Sequence, residues 1–166
     1  MTISILYGAR NSRGRLDKAT QALVDCFERN HMSVDRVDLD PTGLPADELT
    51  VAMARQNRAS AVVAVSPVYK GTYSGYLKTF LDFLPREALA GKPVGIVAMG
   101  EVPDYALGVA HGLRDVYAWF HALVAPTSLY LTATHFDTNG DVAKDGRDLI
   151  ETFAADFVDF CTRHPR

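Results

Sequence analysis

The segment from residue 8 to residue 15 concentrates the groups with which proteins bind phosphate. It reads GARNSRGR and follows an apolar run at residues 3–7. A loop that leaves a strand and opens a helix directs free backbone N–H groups outward at the positive end of the helix dipole. Hydroxyl and guanidinium groups donate well to a phosphate monoester, so the candidate ligands are Arg10, Ser12, Arg13 and Arg15. The alternative interpretation is an N-cap at Asn11 or Ser12 followed by solvated arginines.

A second candidate segment follows the apolar run at residues 61–65. It reads SPVYKGTYSGYLKTFLDFLP from Ser66 to Pro85. A proline and two tyrosines at the carboxyl end of a strand make a rigid, flat-sided wall against which a planar ring can lie, and Ser74 and Gly75 then begin a helix. The alternative is a proline-containing turn whose tyrosines pack on neighbouring helices.

Several other chemistries are not supported by the spacing of residues. Five residues separate Gly8 from Gly14, and Arg15 stands where a Walker P-loop continues with Lys and Ser or Thr. The segment at residues 71–75 is GxxSG and not the nucleophile elbow GxSxG. The five histidines lack metal-ligand spacing, and Cys26 and Cys161 fall on apolar helix faces, where a thiol acts as a small hydrophobe. We therefore expect no bound metal and no acid–base dyad.

The elements that must position these segments alternate regularly along the chain. Apolar, β-branched runs predict strands at residues 3–7, 34–39, 61–65, 94–99 and 128–131. Helix-period patterns lie between and after them, at residues 16–27, 51–58, 76–84, 107–120 and 149–160. The buried faces include Leu107 in the fourth helix and Leu149 in the fifth. Right-handed crossovers then give a parallel sheet with helices on both faces.

Five such units leave two common topologies, the flavodoxin-like strand order and a truncated dinucleotide-binding fold. Either topology places ligands beyond the carboxyl ends of the strands, in the loops that follow Tyr7, Ser66 and Met99. The third of these loops begins with Gly100, Glu101 and Val102.

The second segment resembles a known family. Pro67-Val68-Tyr69-Lys70, Tyr73-Ser74-Gly75, Leu77-Lys78 and Leu84-Pro85 are similar to the NADPH-dependent FMN reductases, most closely the two-component type that supplies reduced FMN to alkanesulfonate or methanesulfonate monooxygenases. Weaker similarity extends to Phe136-Asp137-x-x-Gly140. The resemblance implies one flavodoxin-like FMN-binding domain over residues 1–166, with a five-stranded parallel sheet in the order 2-1-3-4-5.

The resemblance also implies a role for each matching position. The first loop would hold the 5′-phosphate of FMN, and residues 100–102 would lie near the flavin edge. Tyr73 matches an aromatic residue that lies in a π-helical bulge near the flavin and the subunit interface, and Ser74, Gly75 and Lys78 would continue into a helix between subunits. Arg13, Arg15 and Lys70 are candidates for the NADPH phosphates. The residues that would edge the isoalloxazine are Pro67, Val68, Tyr69 and Lys70.

Two departures from the family pattern predict weak flavin binding. The family's first loop usually runs Gly-Ser-Pro-Arg and then Ser-Arg-Ser/Thr, so this chain lacks at least one hydroxyl donor. Glu101 stands where the family usually has a second glycine, and its carboxylate would repel the anionic reduced ring. Both departures suit FMN that is a passing substrate rather than a fixed cofactor.

The expected function is therefore that of an NAD(P)H:FMN oxidoreductase, a homodimer or homotetramer that supplies reduced FMN to a partner monooxygenase. Hydride transfer needs alignment more than an acid or a base, so we expect no catalytic side chain. The net charge of −3 argues against nucleic-acid or membrane partners, and the cytoplasm is the default location. The alternatives are an electron-transfer flavoprotein, a quinone or azo-compound reductase, and a relative with weakened flavin binding that acts as a non-enzymatic partner.

Overall fold

The five apolar runs form one parallel sheet. The computed structural model describes residues 1–10, 13–39 and 46–165. Its strands are β1 (Thr2–Tyr7), β2 (Ser33–Asp38), β3 (Ala61–Tyr69), β4 (Thr72–Tyr73), β5 (Pro93–Met99) and β6 (Leu123–Leu131). Its helices are α1 (Arg15–Arg29), α2 (Ala46–Arg58), α3 (Gly75–Phe83), α4 (Ala106–Trp119) and α5 (Lys144–Arg163). The long strands lie in the order β2-β1-β3-β5-β6, which confirms the predicted flavodoxin-like order.

Strand β3 is longer than the sequence predicts, and it continues past the sheet into a hairpin with β4. Val68 pairs with Tyr73 and Tyr69 with Thr72, both antiparallel. The two turn residues Lys70 and Gly71 have φ values of 54° and 83°, the left-handed conformation that a tight two-residue hairpin turn requires. The segment predicted as a wall is therefore a small β-hairpin at the carboxyl edge of the sheet.

Strand β6 also begins earlier than predicted, at Leu123 rather than at residue 128. The register shifts between Val94 and Ile96 of β5, opposite the part of β6 that contains Pro126. Proline has no N–H for the ladder and is tolerated on an edge strand or at a bulge. The Arg114 side chain donates to the Pro126 carbonyl at 2.8 Å, so the irregular segment is tied to α4. Because Pro126 and the polar residues after it interrupt the apolar run, the sequence does not indicate that the strand begins at Leu123.

The sheet is buried on both faces because its strands alternate apolar residues between two clusters. Val63 and Val65 of β3 face the cluster formed with α1 and α5, whereas Val62 and Ala64 face the cluster formed with α3 and α4. Gly95 allows α5 to lie close, since a Cβ there would meet the Phe153 ring at 3.0 Å. No helix in the described part of the chain is long and apolar enough to cross a bilayer.

Two positions predicted on the buried helix faces are exposed. Leu107 lies in the first turn of α4 with 74% of its surface exposed, and Leu149 of α5 is 42% exposed. The buried face of each helix is therefore narrower than the period alone suggests. In α5, Ile150 is buried while its neighbour Leu149 is partly exposed. Cys26 and Cys161 are both buried free thiols, as predicted.

Candidate functional site

Three segments meet at the carboxyl edge of the sheet, where neighbouring parallel strands end. The first loop follows β1, the hairpin of residues 66–73 ends β3, and residues 100–105 follow β5. Strands β1, β3 and β5 are adjacent in the sheet. The structure thus brings together the three loops in which the sequence placed the candidate residues.

The first loop ends at the start of α1, where no side chain of the described residues caps the helix. Gly14 is the N-cap of α1 and has no side chain to cap it. The first helical hydrogen bond runs from the Lys18 amide to the Gly14 carbonyl at 3.1 Å. The amides of residues 15–17 therefore have no intrahelical acceptor. Arg10, Arg13 and Arg15 are exposed around this end, while Asn11 and Ser12 lie outside the described residues. The structure has Gly14 at the N-cap position, and the alternative cap at Asn11 or Ser12 falls on residues outside the described ranges.

A carboxylate in the first turn of α1 is neutralised by its neighbours. Asp17 accepts a hydrogen bond from Arg36 at 2.6 Å, and Arg36 also donates to Asp38 at 2.6 Å. The Arg36 guanidinium lies 4.3 Å from the centre of the Tyr7 ring. Burial, with the help of Asp17, raises the pKa of Tyr7 to about 12. Asp17 is thus held by a cation and offers little repulsion to an anion at the helix start.

The turn before α5 contacts the start of α1, where the first loop ends. The Asp137 carboxylate accepts from the amides of Asn139 and Asp141 at 2.8 and 2.9 Å. Lys18 of α1 donates to the Asp141 carboxylate at 2.6 Å. Gly140 has a φ of 74° and approaches Arg15, whose Cγ would lie 3.6 Å from a Cβ at that position. The residue pattern of this turn, Phe136-Asp137-x-x-Gly140, did not indicate its contact with the start of α1, since the contact is made across more than a hundred residues.

Two buried serines join the first loop to the hairpin. The Ser74 hydroxyl donates to the Gly8 carbonyl at 2.5 Å, and it also accepts from the Leu77 amide at 3.3 Å as the N-cap of α3. The Ser74 amide donates to the Ser66 hydroxyl at 2.8 Å. A Cβ on Gly8 would lie 2.9 Å from Leu77 Cβ and from the Ser74 hydroxyl. Ser74 is fully buried, so its hydroxyl connects two loops rather than facing a ligand.

The hairpin presents its tip to solvent and its base to the protein. Tyr69 and Lys70 are exposed, Pro67 and Val68 are half-buried, and Gly75 begins α3 at the surface. Tyr73 lies in β4, half-buried, and its ring edge would meet a Cβ on Gly112 of α4 at 3.0 Å. The resemblance placed Tyr73 in a π-helical bulge, which is wrong for this chain, because Tyr73 precedes α3 and the described ranges contain no π-helical turn.

The loop after β5 is anchored at several points. The Gly100 amide donates to the Leu131 carbonyl at 3.0 Å, and the Tyr130 hydroxyl donates to the Val102 carbonyl at 2.7 Å. Burial, together with Asp104 and Tyr105, raises the pKa of Tyr130, so this hydroxyl keeps its proton at neutral pH. Glu101 and Val102 are exposed.

The arrangement matches the parts of a flavin mononucleotide. The start of α1, with the exposed Arg13 and Arg15 beside it, suits a phosphate. Gly100 packs so closely that a Cβ there would overlap the Tyr130 hydroxyl and lie 3.1 Å from Val68, which leaves main chain rather than side chain at this edge. A planar ring needs such close main-chain approach and flat apolar neighbours. The residues present therefore fit the group.

Comparison with known proteins shows the family of this chain. The sequence profile described as NADPH-dependent FMN reductase matches residues 1–136. The chain belongs to this family. An FMN reductase (NADPH) of Pseudomonas aeruginosa is 33% identical over 90 residues, covering 54% of this chain and 48% of that protein. The NADH-dependent FMN reductase SfnE of Pseudomonas putida is 27% identical over 141 residues, covering 78% of this chain and 76% of that protein.

A solved structure with a similar fold is also related to this chain in sequence. The apo form of the NADH:FMN oxidoreductase EMOB matches with a TM-score of 0.79 and 27% identity, covering 94% of this chain and 87% of that one. This chain of the FMN reductase family spans about half the length of the first curated relatives it matches.

Proposed function

We propose that this member of the family is an NAD(P)H:FMN oxidoreductase that catalyses hydride transfer from NAD(P)H to FMN. The observation that carries the proposal is the meeting, at one sheet edge, of the uncapped start of α1 with the hairpin and the loop after β5. When bound, FMN supplies the hydride acceptor, and the protein supplies binding and alignment. No side chain is assigned an acid–base role.

Each segment has a binding role in this proposal. The start of α1 with Arg10, Ser12, Arg13 and Arg15 binds the phosphate of FMN. The loop of Gly100, Glu101 and Val102 borders the ring at another edge, and Ser74 and Gly75 support the hairpin from the start of α3. The residues that contact the isoalloxazine from the hairpin are Pro67, Val68, Tyr69, Lys70 and Tyr73.

The nicotinamide dinucleotide is proposed to dock beside the exposed cations. Lys70 lies at the tip of the hairpin, and Arg13 and Arg15 lie at the start of α1, all three exposed. Either NADPH or NADH serves as the donor in this proposal, since one relative is named for NADPH and the other for NADH. A 2′-phosphate would gain from such guanidinium groups.

FMN is proposed to be a substrate that leaves after reduction. The Glu101 carboxylate lies exposed in the loop assigned to the ring, where its charge disfavours an anionic reduced flavin more than the neutral oxidised form. A dissociation constant on the order of micromolar corresponds to about −8 kcal/mol. The purified protein should then lose its flavin on dialysis, and retention of one flavin per chain would contradict this part.

The reduced flavin is proposed to pass to a partner monooxygenase. The two-component type that the hairpin resembles works in this way, and weak flavin binding supports release. We propose a homodimer or homotetramer that assembles through the exposed sides of α3 and α4, where Phe83 and Trp119 are 55% and 57% exposed. Two buried free thiols suit the reducing cytoplasm.

A binding comparison tests the phosphate site. FMN should bind more tightly than riboflavin, because only FMN carries the phosphate. Arg15→Ala should weaken FMN by roughly ten- to a hundredfold, since a hydrogen bond to a charged group contributes about 1.5–3 kcal/mol, and should leave riboflavin unchanged. Arg58→Ala, an exposed arginine at the end of α2, is the control. Equal affinity of the unaltered protein for both flavins would remove the phosphate assignment.

A further inference from the structure

We propose that Tyr130 is a positioning residue for the isoalloxazine ring, because its hydroxyl fixes the main chain of residues 100–102 that borders the ring. This inference rests on the proposed function. Tyr130 stands near the end of β6, one strand beyond the segments from which the candidate site was assembled. It is assigned no contact with flavin and acts through the loop.

The hydrogen bond from Tyr130 is the polar anchor of the middle of this loop. Its hydroxyl donates to the Val102 carbonyl at 2.7 Å. The next residue is Pro103, so the peptide between them has a carbonyl but no N–H. Only its carbonyl can hold that peptide by a hydrogen bond, and the Tyr130 hydroxyl makes this bond.

Gly100 and Tyr130 form a matched pair. The Gly100 amide donates to the Leu131 carbonyl at 3.0 Å, which places residue 100 directly beside the end of β6. A Cβ at residue 100 would overlap the Tyr130 hydroxyl and lie 3.0 Å from the phenol carbon that carries it. The absence of a side chain at residue 100 is what lets the phenol cross the loop and reach Val102.

The rest of the loop leaves residues 101 and 102 dependent on the Tyr130 hydrogen bond for their orientation. The far end is packed on the hairpin, since the Tyr105 ring lies 3.3 Å from the position of a Cβ on Gly71. Between the two fixed ends, the amides of Glu101 and Val102 donate to no other group within the described residues. With the Val102 carbonyl turned to Tyr130, these two donors remain for a ligand at the sheet edge.

Tyr130→Phe tests the proposal because it removes the hydroxyl and retains the ring. One net hydrogen bond corresponds to about a two- to tenfold change. The KM values for FMN and for riboflavin should rise by the same factor in this range, because the two flavins share the ring, while kcat stays unchanged. Kd values from quenching of flavin fluorescence should rise in parallel, which gives a readout independent of turnover.

Tyr117→Phe is the matched control. The Tyr117 hydroxyl is buried and has no hydrogen-bond partner in the described structure, and Tyr117 lies within α4 under the sheet. The same chemical change there should leave the KM and Kd values for both flavins unaltered. A thermal melt of each variant establishes that it is folded.

A double-mutant cycle tests whether Gly100 and Tyr130 affect flavin binding through the same contact. Gly100→Ala should weaken both flavins as well, because its methyl group displaces the phenol. The loss in the Gly100→Ala, Tyr130→Phe double variant should be smaller than the product of the two single losses. Should Tyr130→Phe fail to fold, parallel weakening of both flavins by Gly100→Ala supports the proposal, and unchanged flavin binding contradicts it.

Three results would overturn the proposal. They are unchanged flavin KM and Kd in folded Tyr130→Phe, weakening of FMN but not of riboflavin, and single losses that simply multiply in the double variant. The proposed function fails separately if the unaltered protein binds flavin but does not oxidise NAD(P)H, and the Kd series still decides the role of Tyr130. If the unaltered protein binds no flavin, both proposals fall.

Discussion

At the scale of single residues, the hydroxyl of Ser74 carries two functions that can be separated by measurement. It caps α3 through the Leu77 amide and it joins the hairpin to the Gly8 carbonyl of the first loop. Ser74→Ala should lower the free energy of unfolding by about 1–2 kcal/mol, the usual value of an N-cap with a buried partner left unsatisfied. It should also raise the Kd for FMN, because the first loop loses the hydrogen bond from Ser74 to the Gly8 carbonyl.

The matched control is Ser128→Ala, which alters an exposed serine of β6. Urea denaturation gives the stability of both variants, and fluorescence titration gives their affinity for FMN. An unfolding midpoint for Ser74→Ala equal to that of Ser128→Ala would contradict the capping and bridging role.

Residue types predicted the exposed cations of the first loop but not the contacts that hold it in place. A run of arginines after an apolar strand is a local pattern, and Arg10, Arg13 and Arg15 are all exposed. The sequence also predicted that Ser74 begins a helix, but its partner Gly8 is 66 residues away. Tyr130 and Val102 are 28 residues apart, and Lys18 and Asp141 are 123 apart. Spacing along the chain does not reveal such contacts, because tertiary packing creates them.

At the scale of helices and strands, two helices end in an unusual way. The chain adopts the left-handed conformation directly after α1 and α4, at His31 (φ 60°) and His121 (φ 58°). The amides of the residues after them, Met32 and Ala122, donate back five residues to Phe27 and Tyr117, a helix end that favours glycine. A non-glycine residue in this conformation costs about 1 kcal/mol.

His31→Gly should therefore raise the free energy of unfolding by about 0.5–1 kcal/mol. His121→Gly should gain less, because it also removes the contact between the His121 ring and Arg86 at 2.7 Å. Urea denaturation of the two variants in parallel measures the difference. A destabilised His31→Gly protein would contradict the explanation.

The surface of α3 and α4 gives a prediction about assembly. Phe83 and Trp119 are more than half exposed. The groove between the two helices is lined mostly by apolar side chains, together with the ion pair of Lys78 and Asp82. Phe83→Glu with Trp119→Glu should convert a dimer or tetramer into a monomer, since association would bury the introduced charges. Leu149→Glu, at an exposed leucine of α5, is the control and should not alter the assembly. Light scattering that shows a monomer for the unaltered protein at high micromolar concentration would contradict the proposal.

Elements with a strong apolar signal were predictable and irregular ones were not. The long strands and their parallel arrangement followed from alternation and right-handed crossovers, because buried parallel strands read as continuous apolar runs. Alternation left two strand orders open, and the family resemblance implied the order that the sheet adopts. The two-residue strand β4 and the first half of β6 escaped prediction. The hairpin turn at Lys70 has a lysine where asparagine or glycine is usual, and Pro126 interrupts β6.

At the scale of the whole molecule, buried acidic groups predict a loss of stability in alkali. Burial raises the pKa of the Cys161 thiol to about 12, while an unfolded thiol titrates near about 8.5. Above that pH the unfolded chain binds fewer protons than the folded one, so the free energy of unfolding falls as pH rises. The decline should begin near about pH 8.5 for Cys161 and steepen near about pH 10, where unfolded Tyr7 titrates.

Urea denaturation at pH 7, 9 and 10 measures this dependence. Cys161→Ala should show a shallower decline between pH 8.5 and 10, whatever its stability at pH 7, because the buried thiol no longer contributes. An equally steep decline in this variant would assign the effect to other groups.

We propose that the three loops at one sheet edge form a site for hydride transfer from NAD(P)H to FMN. The most direct test is the rate of NADPH and of NADH oxidation by the dialysed protein, followed at 340 nm with and without added FMN. We predict little oxidation by either nucleotide alone, saturable FMN-dependent oxidation of at least one of them, and a higher KM for FMN in Arg15→Ala. Turnover with a quinone but none with FMN, or no oxidation under any condition, would contradict the account.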